Sequence, residues 1–197
     1  MKILAIADVE EETMYEERMR LKIGPVDLII SCGDLSEDYL SYVSTVYGAP
    51  LFYVRGNHDQ AITKAVSIGE NLHNRMVRYK GFKFLGFEGC PRYNNGVVQY
   101  TEREMGFMVN KAIFSAWLGG NPDVVVTHAT PKGIHEGKDF AHRGFAAFNK
   151  LIDHSKPRFF LHGHNHLIYN PLDQVRVWEN GKTQVINVYG HYVFTLE

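Results

Sequence analysis

Five short stretches of this 197-residue chain set acids, an amide and imidazoles directly behind apolar runs. They are Asp8 in "KILAIAD", Asp34 in "LIISCGD", Asn57, His58 and Asp59 in "LFYVRGNHD", His128 in "VVVTHATP", and His164 with His166 in "FFLHGHNH". Carboxylate, amide and imidazole donors together suit borderline divalent ions such as Mn, Fe and Zn, whereas calcium takes oxygen almost alone. Each position also has an ordinary reading. A single aspartate after a strand is most often a helix cap, and a single histidine is most often a core or surface residue. Two imidazoles one residue apart beyond an apolar strand resist that reading, because burying both without partners is costly. Groups at the carboxyl ends of strands in an open α/β sheet gather in one crevice, so five such ends can build one metal centre. Glycines before Asp34, Asn57 and His164 allow the tight turns such a gathering needs. In "DVEEE", Glu10 has two open roles: metal ligand, or acid in a first helical turn, where Glu11 and Glu12 suit the helix dipole.

The elements that must carry these residues are legible. The apolar runs are continuous rather than alternating, which predicts strands covered on both faces. Between them, Ser36 can cap a helix with Leu40, Val43 and Tyr47 on one face, ended by Gly48 and Pro50. Thr101 and Glu104 form a capping-box pattern ahead of Met105, Met108 and Ala112, and Gly119 stops that helix. Phe145, Phe148 and Ile152 repeat the helical spacing before Pro157. Hairpin turns are expected near Lys80-Gly81 and Asn180-Gly181. The expected architecture is α/β, two packed mixed β-sheets flanked by helices. With no linker or repeat in view, residues 1–197 are read as one domain.

Composition narrows the function. Hydrophobic residues make up 45% of the chain, and 21 Lys and Arg against 22 Asp and Glu leave a net charge of −1. Broad nucleic-acid binding by counterion release is therefore excluded. No apolar window approaches the roughly 20 residues of a membrane span, and Asp8 interrupts the N-terminal run too early for a signal peptide. Cys32 and Cys90 read as free thiols of a cytoplasmic protein. Nothing indicates an oligomeric state.

In order and spacing, these strand ends resemble the calcineurin-like metallophosphoesterase family. That family's pattern is Asp-x-His, Gly-Asp, Gly-Asn-His-Asp or Glu, a later His, and Gly-His-x-His. Here it reads "DVE" at 8–10, "GD" at 33–34, "GNHD" at 56–59, His128, and "GHNH" at 163–166, covering nearly the whole chain. The resemblance implies a four-layer sandwich and a metal-dependent phosphoesterase, expected to be a phosphodiesterase, that hydrolyses a phosphoester by metal-activated water in a dinuclear site. It implies one ion on Asp8, Asp34, His166 and position 10, and another on Asp34, Asn57, His128 and His164, with Asp34 bridging. Mn is the best match for the two divalent ions, with Fe, Zn or Mg as alternatives. His58 resembles the histidine that assists the leaving group, and Asp59 is expected to orient it.

Glu10 stands where the family has histidine; as a ligand it would favour harder ions such as Mn or Mg. In "GCPRYNNG", Arg92 could hold a phosphate bidentately and Tyr93 could line a leaving group; an ordinary solvent loop is the alternative. His135, Asp139, His142 and Arg143 in "GIHEGKDFAHRG" are expected at the rim of the site. His73, His154 and His191 are read as ordinary histidines. Two other functions fit the sequence: a catalytically decayed protein-binding module of the same fold, or a one-metal phosphoesterase.

Overall fold

The protein is described by a computed structural model over residues 1–59, 69–167 and 176–197. One sheet contains β1 (Lys2–Ala7), β2 (Leu28–Ser31), β3 (Leu51–Tyr53) and β4 (Glu70–Asn71), all parallel. The C-terminal strand β13 (Gly190–Thr195) lies antiparallel to β1, giving the order β13-β1-β2-β3-β4. The second sheet has the order β11-β12-β10-β9-β6-β5. Its strands are β5 (Met76–Tyr79), β6 (Phe82–Phe87), β9 (Val124–Thr127), β10 (Phe159–His162), β11 (Val177–Asn180) and β12 (Thr183–Asn187), with β5 and β11 as antiparallel edges. A two-residue parallel pair, β7 (Cys90–Pro91) with β8 (Gln99–Tyr100), leads into the helix that follows it.

Each parallel strand sends alternate residues into two different cores, which is why the apolar runs are unbroken. Ile3, Ala5, Ile30 and Phe52 meet Phe84, Val124, Val126, Leu161 and Ile186 between the sheets. From the first sheet, Leu4, Ile6, Ile29 and Leu51 turn outward onto Tyr39, Leu40 and Val43 of α2 (Glu37–Tyr47) and onto Ile23 of α1 (Glu17–Ile23). From the second, Leu85, Phe87, Val125, Phe160 and Val185 cover Met105, Val109 and Ala112 of α3 (Glu102–Gly119) and Phe148, Leu151 and Ile152 of α4 (Ala146–Ser155). The result is the expected four-layer arrangement.

Local signals operate as read, with shifts of a residue at some ends. The Ser36 hydroxyl accepts the Tyr39 N–H at 3.2 Å, Gly48 closes α2 at φ 58°, and Thr101 with Glu104 makes both bonds of the capping box. The first hairpin turns at Lys80-Gly81, while the second turns one residue later than expected, because Asn180 still pairs with Thr183. Glu10 precedes every helix: the first helical turn is the 3₁₀ segment Glu12–Tyr15, with Glu11 at its N-cap. Among the described residues, no helix is long and apolar enough to cross a membrane. Cys32 and Cys90 are both free and buried.

A buried charge cluster ties the two sheets together close to the strand ends. Glu88, 2% exposed, takes two bonds from the Arg55 guanidinium at 2.7 and 2.8 Å and one from the Tyr100 hydroxyl at 2.7 Å. Burial alone would raise its carboxyl, but these partners hold it below the usual range. His73 stacks on Tyr100 and accepts the Glu88 N–H at its Nδ1, so it is neutral, as its burial also favours. Arg55 directly precedes the "GNHD" turn, so this cluster fixes where that turn begins.

Candidate metal centre

The carboxyl ends of β1, β2, β3, β9 and β10 lie together at one end of the sandwich. Asp8, Asp34 and His164 each leave their strand with positive φ, 66°, 58° and 65°, a backbone state that non-glycine residues rarely hold without support. The support is mutual. The Asp8 N–H donates to the Gly33 carbonyl at 3.2 Å, and the His164 N–H donates to both Asp8 oxygens at 2.9 and 3.1 Å. Asp59 uses one oxygen to accept the N–H groups of Asp34 at 3.0 Å and Gly56 at 2.7 Å. It thus clamps the Asp34 and "GNHD" turns to each other, and these bonds go to backbone rather than to the His58 ring. Gly56 is required here, because a Cβ on it would lie 1.9 Å from Asp34 Oδ1 and 2.7 Å from His128 Cε1.

The protein fixes which nitrogens are free. His128 Nδ1 lies 2.8 Å from the Cys32 carbonyl, and a carbonyl can only accept, so Nδ1 carries the proton. His128 Nε2 faces Asn57 Oδ1, 3.0 Å away, and Asp34 Oδ2, 3.3 Å away, where it carries a second proton or turns a lone pair to a cation. By the same reasoning His164 donates from Nε2 to the Ala141 carbonyl at 2.8 Å and keeps a lone pair on Nδ1. Single ligand atoms from Asp34, His128 and His164 lie within 4.8 Å of one another. Three acceptors thus converge with no donor between them, unless a proton or a cation enters.

The electrostatics register the same deficit. Burial pushes the Asp8 carboxyl up to about 7, with Asp34 and Asp59 adding to the effect. Burial opposes ionisation of Asp34 as well, but His128 and the His58 N–H outweigh it and bring Asp34 to about 2. His128 would be lowered by burial, yet Asp34 beside it pushes it up to about 9. His164 falls to about 3, from burial first and from the His128 charge second. Among the described residues no lysine or arginine pairs with Asp8 or Asp34; an imidazolium at His128 takes the place a cation would fill. The donor set and its orientation fit divalent ions of the Mn, Fe and Zn type.

The remaining sequence candidates fall into place around this centre. Asn57 Nδ2 donates to the Tyr93 hydroxyl at 3.2 Å, so Tyr93 borders the cluster. Arg92 instead turns to the Glu104 carboxylate, at 3.0 and 3.2 Å, and to the Gln99 carbonyl. The exposed imidazole of His58 sits at the mouth while its N–H holds Asp34 Oδ1 at 2.8 Å. His166 packs beside the Tyr189 ring at 4.8 Å. Glu10 is exposed, and one of its oxygens accepts the Ser36 N–H at 3.0 Å, two residues beyond Asp34. His191 is bonded to Glu11, which gives that acid a partner other than a helix dipole.

The 135–143 segment does cover the site. Asp139 grips His142 Nδ1 at 2.7 and 2.8 Å, and the His142 ring stacks on His164 at 4.8 Å. What holds this segment is Asn165, the residue between the two histidines of "GHNH", which sequence reasoning passed over. Its Nδ2 donates to the His135 carbonyl and, at 3.3 Å, to the His142 carbonyl, while its own carbonyl accepts from Asn187 at 2.7 Å. A buried amide between two candidate ligand positions was the available signal. Through the Ala141 carbonyl, this segment selects the His164 tautomer. Asn165→Asp keeps the size but turns an oxygen toward two carbonyls. Mn or Zn affinity is expected to fall roughly 10–100-fold, as for other outer-shell losses. Calorimetric titration of the folded variant checks this, and unchanged affinity would refute the positioning role.

Comparison with known proteins gives the family. The profile for the calcineurin-like phosphoesterase superfamily domain matches residues 1–192. The human lariat debranching enzyme is 22% identical over 221 aligned positions, covering 81% of this chain and 40% of that protein, so the chain spans less than half of that relative's length. One solved crystal structure superposes with a TM-score of 0.68 at 16% identity, covering 96% of this chain and 90% of that one. GAP50, described as the anchor in the inner membrane complex of Plasmodium, superposes at 0.55 with 13% identity over 96% and 71% of the two chains. At these identities the two structures speak to the fold alone.

Proposed function

The chain belongs to the calcineurin-like phosphoesterase superfamily, and from that premise we propose that it is a metal-dependent phosphodiesterase with a two-ion centre. The observation that carries this reading is the convergence of Asp34 Oδ2, Asn57 Oδ1 and His128 Nε2 on one point, which a second proton on His128 or a cation must fill. Asn57, His128 and His164 would hold one ion, Asp8 and His166 the other, and Asp34 both. Glu10 would add its carboxylate beside Asp8, where the Ser36 N–H already steadies it. When bound, two divalent ions lower the pKa of water and take up charge on phosphoryl oxygens.

The chain's own groups do the rest. Asp34 is held by the His58 N–H on one oxygen and faces His128 with the other, so its position survives movement of solvent at the mouth. His58, exposed beside it, gives a proton to the departing oxygen. Asp59 keeps the two turns in register. Tyr93, beside Asn57, is 39% exposed and offers an aromatic surface at the edge of the cluster. The second substituent of a diester would use that surface. Mn-loaded protein is therefore expected to hydrolyse an aryl diester with a kcat/KM at least about tenfold above that for the matching monoester, a difference of about 1.4 kcal/mol. A preference for the monoester would remove the diester assignment.

A further inference from the structure

A phosphoryl group seated at the strand ends needs donors for its oxygens. Arg92, whose guanidinium suits that task by type, is turned to the Glu104 carboxylate instead. Its neighbour Tyr93 goes the other way, with its hydroxyl against Asn57. In that contact Asn57 Nδ2 is the donor, so the phenol oxygen accepts and keeps its own O–H for another partner. Among the described residues that O–H meets no acceptor. Asn57 reaches the centre with its other end, where Oδ1 lies 3.0 Å from His128 Nε2. One planar amide is thus all that separates the phenol oxygen from the converging ligands.

The loop that carries Tyr93 is fixed from both sides. The N–H groups of Tyr93 and Asn94 donate to Gln99 Oε1 at 3.1 and 3.2 Å, and Gln99 is only 3% exposed. Gln99 Nε2 in turn donates to Asn94 Oδ1 at 2.6 Å, and the same oxygen accepts the Gly96 N–H at 2.7 Å. A Cβ at Gly96 would lie 2.3 Å from that Nε2, so the turn closes around glycine. On the other side the Arg92 N–H donates to the Tyr100 carbonyl at 3.0 Å. A donor held in place before substrate arrives loses little freedom on binding, which makes it effective where charge develops.

We propose that the Tyr93 hydroxyl donates a hydrogen bond to a nonbridging phosphoryl oxygen of the substrate, an assignment that rests on the metal-centre reading above. The ring borders the second substituent, whereas the O–H touches the phosphoryl group itself. His58, next to Asn57 in the chain, serves the departing oxygen, so the two donors flank one ligand and take different oxygens. The rival role for Tyr93 is to steady the Asn57 amide alone. Asn57 is only half-buried, so water can replace the phenol oxygen as acceptor for Nδ2 while Oδ1 still faces the centre. Loss of the hydroxyl therefore weakens the hold on substrate rather than the hold on the ion.

Tyr93→Phe keeps the ring and removes only the hydroxyl. In Mn-loaded protein the variant is expected to bind inorganic phosphate roughly tenfold or more weakly and to lose roughly 10–100-fold in kcat on an aryl diester, with Mn affinity and circular dichroism unchanged. Calorimetric titration with Mn, then with phosphate, reads both affinities without turnover. Phosphate affinity equal to that of wild type, in a variant that still takes up Mn, overturns the assignment and leaves the metal centre standing. A loss of turnover that excess Mn restores makes Tyr93 a support for Asn57 and overturns it as well. A wild type that takes up no Mn removes the metal-centre reading, and the assignment falls with it.

Discussion

Asp34→Asn is expected to lower turnover by about 10³-fold or more, the equivalent of several kcal/mol of lost charge stabilisation at the centre. The same change removes the carboxylate facing the His128 imidazolium, so the metal-free protein should lose the stability of that pair while keeping its fold. The asparagine oxygen can still accept the His58 N–H, and without the carboxylate His128 falls back toward the neutral form its burial favours, with Nε2 open to the asparagine amide. An isosteric substitution that keeps the fold yet removes function separates ligand chemistry from fold maintenance. Thermal unfolding of stripped protein and turnover of Mn-loaded protein, measured side by side, make the check. Retained turnover in the variant would contradict the assignment of Asp34 to both ions.

Glu88→Leu carries the largest expected effect on stability. It leaves the largely buried Arg55 guanidinium without its carboxylate and strips Tyr100 of its acceptor, and breaking a buried pair from one side costs about 3–5 kcal/mol. For a chain of this size that lowers Tm by roughly 6–20 °C. Replacing both members, Arg55→Met with Glu88→Leu, should recover most of the loss, because the penalty lies in the orphaned charge rather than in the absence of attraction. Because Arg55 leads into the "GNHD" turn, the single variant should also weaken metal binding before it unfolds. A single variant that unfolds like wild type would show that water reaches Arg55 easily and that the cluster is peripheral.

Much of this was readable in the chain because the candidate ligands sit where strands end. Continuous apolar runs announced strands buried on both faces, and parallel strands send their carboxyl ends to the same side, so Asp8, Asp34, Asn57, His128 and His164 could be gathered from order alone. The Thr101 and Ser36 caps were legible for the same local reason. What escaped involves partners far apart in sequence. Glu88 finds Arg55 33 residues away, and His191 finds Glu11 180 residues away; no periodicity encodes either meeting. Arg92 and Tyr93 are neighbours with similar prior claims on substrate, and only tertiary packing sends Tyr93 to Asn57 and Arg92 to Glu104. Asn165 was hidden by its setting, since between two histidines attention falls on the imidazoles rather than on the amide that fastens the covering segment.

The central claim is that the strand ends form a divalent-metal centre that hydrolyses phosphoesters. Its most direct test is hydrolysis of an aryl phosphodiester by chelator-stripped protein, before and after titration with Mn. Turnover absent in the stripped state and rising to saturation at two equivalents of Mn is the expected result. Equal turnover with and without Mn, or none at any Mn concentration in protein that remains folded, would contradict it.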